Sequence, residues 1–223
     1  MTQRPAEANK NLRESENVRF IGLENGGKRL LFVGNSITRH APLDSIGWSG
    51  DWGMAASCPE NDYVHRVAAM VRSVSAPPAV CICQAAAWER AYKTGVETYP
   101  LYESAREFAA DVIVVRLIEN CAVEDFDAAA YKAALDGLLA YLDKSGRAKT
   151  ILTTGFWPHV GNPAIREYAA EKALPCAVLD DLGPQPEMRA DGLFEHAGVA
   201  AHPGDRGMQA IAQRIFEKLK ELL

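Results

Sequence analysis

Five short apolar runs separated by amphipathic stretches constrain this chain more than any other feature. Residues 30–34, 79–83, 111–117, 150–155 and 175–181 read as buried strands. The third is clearest, because Val112, Ile113, Val114 and Val115 are β-branched in succession and flanked by charge. Helical stripes lie between the runs: Val64, Val67, Ala68 and Val71, then Tyr131, Leu135, Leu138, Leu139 and Leu142. A last stripe is made by Met208, Ile211, Ala212, Ile215, Phe216 and Leu219. Gly146 stands where a helix C-cap is expected, and Asp205 where an N-cap is expected. Strands alternating with helices require right-handed crossovers and a parallel sheet covered on both faces.

That architecture directs attention to particular loops, because ligands of open α/β sheets bind beyond the carboxyl ends of the strands. Ser36 follows the first run, residues 84–89 the second, and Asn120 the third. In Gly34-Asn35-Ser36-Ile37-Thr38, a Gly at the strand end permits a sharp turn that directs the Ser hydroxyl into the cleft. A Ser/Thr-rich helix cap is the alternative reading of the same residues. His202, in Ala201-His202-Pro203-Gly204-Asp205, precedes the final helix, where a loop imidazole can act as a general base. The Asn120 amide can donate to a developing oxyanion, and a turn-forming Asn is its plainer role.

Together these residues resemble the SGNH/GDSL hydrolase superfamily. Phe32-Val33-Gly34-Asn35-Ser36-Ile37-Thr38 is similar to its first sequence block in the Gly-Asn-Ser form. Arg116-Leu117-Ile118-Glu119-Asn120 is similar to the third block, and His202-Pro203-Gly204-Asp205 with Gly207-Met208 to the fifth. The resemblance runs from Leu30 to the last helix. It implies a flavodoxin-like three-layer α/β/α sandwich, here with a five-stranded parallel sheet, in one domain over 1–223 with an N-terminal arm over 1–28. It also implies a serine esterase in which Ser36 attacks an acyl carbonyl and His202 takes its proton. Asn120 and the Ser36 amide would then hold the oxyanion.

The chain departs from the family pattern at three places. No Gly lies between Val80 and Tyr92, so the second oxyanion amide is assigned to Glu89, with Ala87 as the alternative. Ile118 and Cys121 replace the Gly and Asp that flank the family's Asn. Val199 occupies the position of the acid three residues before the His. Either a backbone carbonyl orients His202 in a Ser-His dyad, the favoured arrangement, or Glu195 or Asp205 substitutes.

Trp48 and Trp52 in the loop after Ser36, and Trp88 and Trp157 after strand ends, are expected to form a substrate rim suited to an acetylated sugar, with Arg116 beside them. Pinning of the loop is the alternative for Trp48 and Trp52, and a salt bridge to Glu89 or Glu119 is the alternative for Arg116. The substrate expectation is a small acyl ester, foremost an O-acetyl group on a carbohydrate. Thioester or lysophospholipid hydrolysis, or a non-catalytic binding protein on the same scaffold, are the rival readings.

Composition excludes several classes. With 48% hydrophobic and 24% charged residues the chain is an ordinary globular protein rather than a disordered or coiled-coil one. A net charge of −5 without a basic cluster argues against nucleic acid as a partner. His40, His65, His159 and His196 show no metal-ligand spacing, and no Gly-rich phosphate loop occurs, so neither metal nor cofactor is expected. Five cysteines, an odd number without paired spacing, read as reduced thiols, with Cys81 and Cys83 in the core. The polar start and the lack of a long apolar segment lead to the expectation of a cytoplasmic protein without a membrane partner. A homo-oligomer stays open, since no stripe is committed to an interface.

Overall fold

The computed structural model describes residues 9–223, and the first eight residues of the expected N-terminal arm lie outside them. Six strands form one sheet: β1 (Val18–Ile21), β2 (Arg29–Gly34), β3 (Ala79–Gln84), β4 (Val112–Arg116), β5 (Lys149–Thr153) and β6 (Cys176–Ala177). Their order is β1-β3-β2-β4-β5-β6. The five expected strands pair in parallel, and β1 adds an antiparallel edge to β3, with Val18 opposite Cys83. The segment expected to be an arm therefore supplies a sixth strand, anchored by the fully buried Val18 and by Phe20 against Phe108. The fifth expected run is a strand for only two residues. Beyond it the Thr154 hydroxyl accepts from the Leu179 and Asp180 amides, so a side chain takes the place of a ladder partner.

The two faces of the sheet are set by strand alternation. Leu30 and Phe32 of β2 point to one side, where α1 (Tyr63–Val74) and the long C-terminal helix over Asp205–Leu219 cover them. Leu31 and Val33 point to the other side, under the helix over Ala128–Leu142. Cys81 and Cys83 share that second face, and all five cysteines are unpaired. With Ala128–Leu142 as α4 and Asp205–Leu219 as α7, four further helices make seven among the described residues: α2 (Ala86–Arg90), α3 (Glu103–Glu107), α5 (Asn162–Glu171) and α6 (Ala197–Ala200). Asp205 is the first residue of α7 and not its cap, which is Gly204. Its carboxylate instead accepts from the Ser57 amide and hydroxyl, tying the loop after β2 to α7. Gly146 likewise lies beyond the α4 cap, which is Asp143, and takes a left-handed φ of 66° in the following turn.

Because β2 lies between β3 and β4, the chain must cross over it, and a crevice opens at its carboxyl end. Gly34 closes β2 at this point. A Cβ there would sit 1.8 Å from Thr38 Oγ1 and 3.2 Å from the Arg116 carbonyl oxygen, so only Gly allows the turn to fold back onto the strand. Gly34→Ala is expected to lower stability by about 1–3 kcal/mol through this overpacking, read as a reduced midpoint in urea denaturation.

Candidate active site

Ser36 sits in the turn that follows Gly34. The Thr38 and Arg39 amides donate back to the Asn35 carbonyl, and the Asn35 Oδ1 accepts from the Ile37 amide, so the turn is fixed on both sides of Ser36. The Ser36 carbonyl accepts from the Met54 amide, and its own N–H has no partner among the described residues. The side chain is half-buried, and its Oγ lies 2.8 Å from His202 Nε2.

His202 is held from its other nitrogen. The short helix α6 ends at Ala200, and the Gly198 carbonyl accepts no backbone N–H within it. His202, four residues on, donates to that carbonyl from Nδ1 at 2.6 Å. A carbonyl only accepts, so Nδ1 carries the proton and Nε2 presents its lone pair to the Ser36 hydroxyl. Trp157 packs edge-on against the imidazole, with centroids 5.6 Å apart. Val199 is buried against Trp48, Met54 and Ala190, Glu195 is exposed, and Asp205 bonds to Ser57 and Asn61. No carboxylate bonds the imidazole among the described residues. Burial pushes the His202 pKa down to about 4; the Gly198 bond opposes that shift and the Arg116 charge adds to it.

Beneath Ser36 lies a buried polar cluster that the sequence pattern only partly foretells. Arg116, at the end of β4, is fully buried and pairs with Glu119, and its second Nη donates to Asn35 Oδ1. The Asn35 amide nitrogen donates to Glu119 Oε2 at 2.7 Å and to Glu89 Oε1 at 3.0 Å. Glu89 Oε2 accepts from Asn120 Nδ2 at 2.6 Å, and Glu119 Oε1 accepts from the Phe156 amide at 2.9 Å. Burial pushes the Glu89 carboxyl up, reinforced by the neighbouring charge of Glu119. Burial would raise Glu119 too, but the Arg116 guanidinium, together with the hydrogen bonds from the Phe156 amide and Asn35, overcomes it and holds that carboxyl low. One cation thus serves two carboxylates, and Glu119 has the stronger claim on it.

Several expected roles change in this light. The Glu89 amide donates to the Ala85 carbonyl inside α2, so it is not open to an oxyanion; the part Glu89 plays is through its carboxylate. Arg116 is an internal ion-pair partner with no exposure, not a rim residue. Trp88 is fully buried and Trp48 is 3% exposed, and none of the four tryptophans lines the cleft. The Trp48 and Trp52 indoles donate to the His40 and Ala56 carbonyls and stack edge to face, which pins the loop after Ser36.

The cleft itself has a volume of about 310 Å³. Ser36, His202 and Asn120 line it together, although they are far apart in sequence. Ile46, Met54 and Val199 form its apolar wall, and Gln84, Ala86 and Arg90 bring in the start and end of α2. His40 and His196, read from the sequence as surface or structural residues, also line it. No local signal marks them, since nothing in a single histidine tells which way its loop turns. Among the described residues no group of His, Cys, Asp and Glu has the arrangement of a metal site, and no helix is long and apolar enough to cross a membrane.

No protein-family model matches the chain. No curated protein matches it either. Solved structures do. A member of the lipolytic protein G-D-S-L family from Veillonella parvula DSM 2008 is 14% identical, with a TM-score of 0.51 over 86% of this chain and 98% of that one. A two-domain esterase, CEX, active on acetylated mannans, is 15% identical, with a TM-score of 0.59 over 87% of this chain and 49% of that one. The acetyl xylan esterase Est2A from the rumen bacterium Butyrivibrio proteoclasticus is 15% identical, with a TM-score of 0.54 over 87% and 63%. At these identities the likeness is one of fold. The chain has the α/β/α fold of GDSL lipolytic proteins and esterases, and it spans about half to two thirds of the two carbohydrate esterases.

Removing the cation from the buried cluster leaves two carboxylates close together and largely shielded from solvent. Arg116→Met is therefore expected to cost about 3–5 kcal/mol of stability, measured by chemical denaturation at neutral pH. Because both carboxylates must then be protonated, the loss should shrink as the pH is lowered.

Proposed function

We propose that this protein is a serine esterase acting on small acyl esters, foremost O-acetyl groups on a carbohydrate. The observation that carries this reading is the 2.8 Å contact of Ser36 Oγ with a His202 Nε2 left unprotonated by the Gly198 hydrogen bond. Ser36 attacks the acyl carbonyl as Nε2 takes the hydroxyl proton, giving a tetrahedral oxyanion. The imidazolium returns that proton to the departing alcohol, and an acyl-enzyme remains. Water, deprotonated by the same nitrogen, then releases the acid and restores Ser36.

Three donors face the oxyanion in this scheme. The Ser36 N–H is free, and Asn120, held by Glu89 through one of its amide hydrogens, has the other to give. Ala86, at the first turn of α2 on the cleft wall, supplies the backbone N–H in place of Glu89 once its contact with Gln84 Oε1 is released. Each such donor contributes roughly 3–4 kcal/mol in comparable sites. With a carbonyl in place of the acid, the imidazolium lacks a full negative charge on Nδ1, and a modest turnover rate follows.

Support for an acetylated carbohydrate comes from the fold shared with esterases described as active on acetylated mannans or xylan. The small cleft, with an apolar wall of Ile46, Met54 and Val199 facing polar groups, agrees with an acyl group of few carbons. A reducing, cytoplasmic setting agrees with five unpaired thiols.

Hydrolysis of p-nitrophenyl acetate by the wild type beside Ser36→Ala and His202→Ala tests the assignment. Both substitutions are expected to lower kcat/KM by at least about a thousandfold with folding intact; activity that survives Ser36→Ala contradicts it. The pH profile gives an independent check. His202 must be neutral to accept a proton, and its folded pKa is about 4 against an ordinary 6.5. The rate constant kcat/KM should therefore hold as pH falls through 6.5 and decline only on approach to about 4.

A further inference from the structure

Arg90 is exposed at the end of α2 and lines the same cleft as Ser36, Asn120 and His202. Among the described residues its guanidinium makes no ion pair and no hydrogen bond. Arg39, Arg116, Arg166, Arg189 and Arg214 are each paired with a carboxylate; Arg72, Arg147 and Arg206 share the lack of a partner, but Arg90 is the one arginine among the residues lining the cleft. The cleft is also free of acid: although the chain carries 29 Asp and Glu against 24 Lys and Arg, no carboxylate is among the lining residues. His40 and His196 complete a lining whose only charge-bearing groups are cationic or neutral.

We propose that the substrate of this cleft carries a carboxylate, which Arg90 binds while the ester carbonyl lies at Ser36. This rests on the esterase reading above and narrows it to acyl esters of acid-bearing molecules, an acidic sugar unit being the carbohydrate case. A single guanidinium balances one negative charge, and its planar fork matches the two oxygens of a carboxylate. The apolar wall of Ile46, Met54 and Val199 lowers the local dielectric and strengthens that attraction relative to open solvent.

The polarity of the surroundings fixes the direction in which the substrate lies. Past Arg90 the cleft continues into a second cavity lined by Lys93, whose Nζ donates to the Asp125 carbonyl, with Asp125 as its one acid. Where the cleft meets a neighbouring cavity at Ile46 and His196, by contrast, the lining turns acidic with Asp44 and Glu195. An anion is therefore drawn to the α2 end and repelled from the other. Glu89 adjoins Arg90 in sequence but faces inward to Asn35 and Asn120, so it does not neutralise the guanidinium.

The test compares 4-acetoxybenzoate with 4-acetoxybenzamide, two acetyl esters of nearly equal size that differ by one charge. The ratio of their kcat/KM values is measured at low ionic strength for the wild type and for Arg90→Gln, so that intrinsic reactivity cancels. The wild-type ratio is expected to favour the anion by about fivefold to tenfold over that of Arg90→Gln. Arg90→Glu should push the ratio below that of Arg90→Gln, and added salt should erode the wild-type preference. Equal ratios in wild type and Arg90→Gln overturn the carboxylate site while leaving the esterase reading intact. If neither ester is turned over, the esterase reading fails, and calorimetric binding of 4-acetoxybenzoate decides the site alone. Tighter binding of the benzoate than the benzamide, abolished by Arg90→Gln, supports it; no such difference overturns it.

Discussion

The Arg116 guanidinium, enclosed at the carboxyl end of β4, sets the geometry on which the cleft depends. A buried cation must be matched, and here the match is Glu119, with Asn35 accepting from the other side. Through Asn35 the cluster fixes the turn that presents Ser36. Through Glu119 it reaches the Phe156 amide after β5, and through Glu89 it reaches Asn120 and α2. Three strand ends and a helix are thereby held in one hydrogen-bonded unit directly below the cleft. Such a cluster is costly if any member is missing, and that stringency makes the position of Ser36 unique rather than approximate.

The imidazole illustrates a different way of meeting the same demand. A carboxylate behind a catalytic histidine both orients the ring and stabilises its cation; a carbonyl does only the first fully. The Gly198 oxygen is open because α6 is a single turn, and His202 is spaced so that its Nδ1 reaches back over that turn. Val199, where an acid would have stood, packs into an apolar cluster with Trp48 and Met54 instead. The residue that forgoes charge stabilisation thus helps to hold the loop that forms the cleft wall.

Much of the fold was legible because it rests on local pattern. The β-branched run at Val112–Val115 and the stripes of α1, α4 and α7 each bury one face or both, and burial leaves a period in the sequence. Ser36, His202 and Asn120 were legible from the strand-end rule and from short motifs around them, and the structure brings all three to one cleft. What escaped depends on contacts between distant segments. β1 is four residues long and gains its stability from pairing with β3, which no local pattern records. Trp88 and Trp157 do follow strand ends, and Trp48 and Trp52 lie in the loop after Ser36, but whether an indole faces a cleft or a core is decided by the loop's path. Glu89 was expected to act through its backbone and acts through its side chain, because a strand-to-helix turn of one residue puts its amide inside α2.

The central claim is that Ser36 is a nucleophile activated by His202, and covalent labelling reads this without reference to any substrate. The protein would be treated with a fluorophosphonate and the adduct located by peptide mass mapping, in wild type and in His202→Ala. The account predicts a single adduct on Ser36 that is lost, with the fold intact, when the imidazole is removed. An unlabelled Ser36 in the wild type, or labelling that is indifferent to His202→Ala, would contradict it.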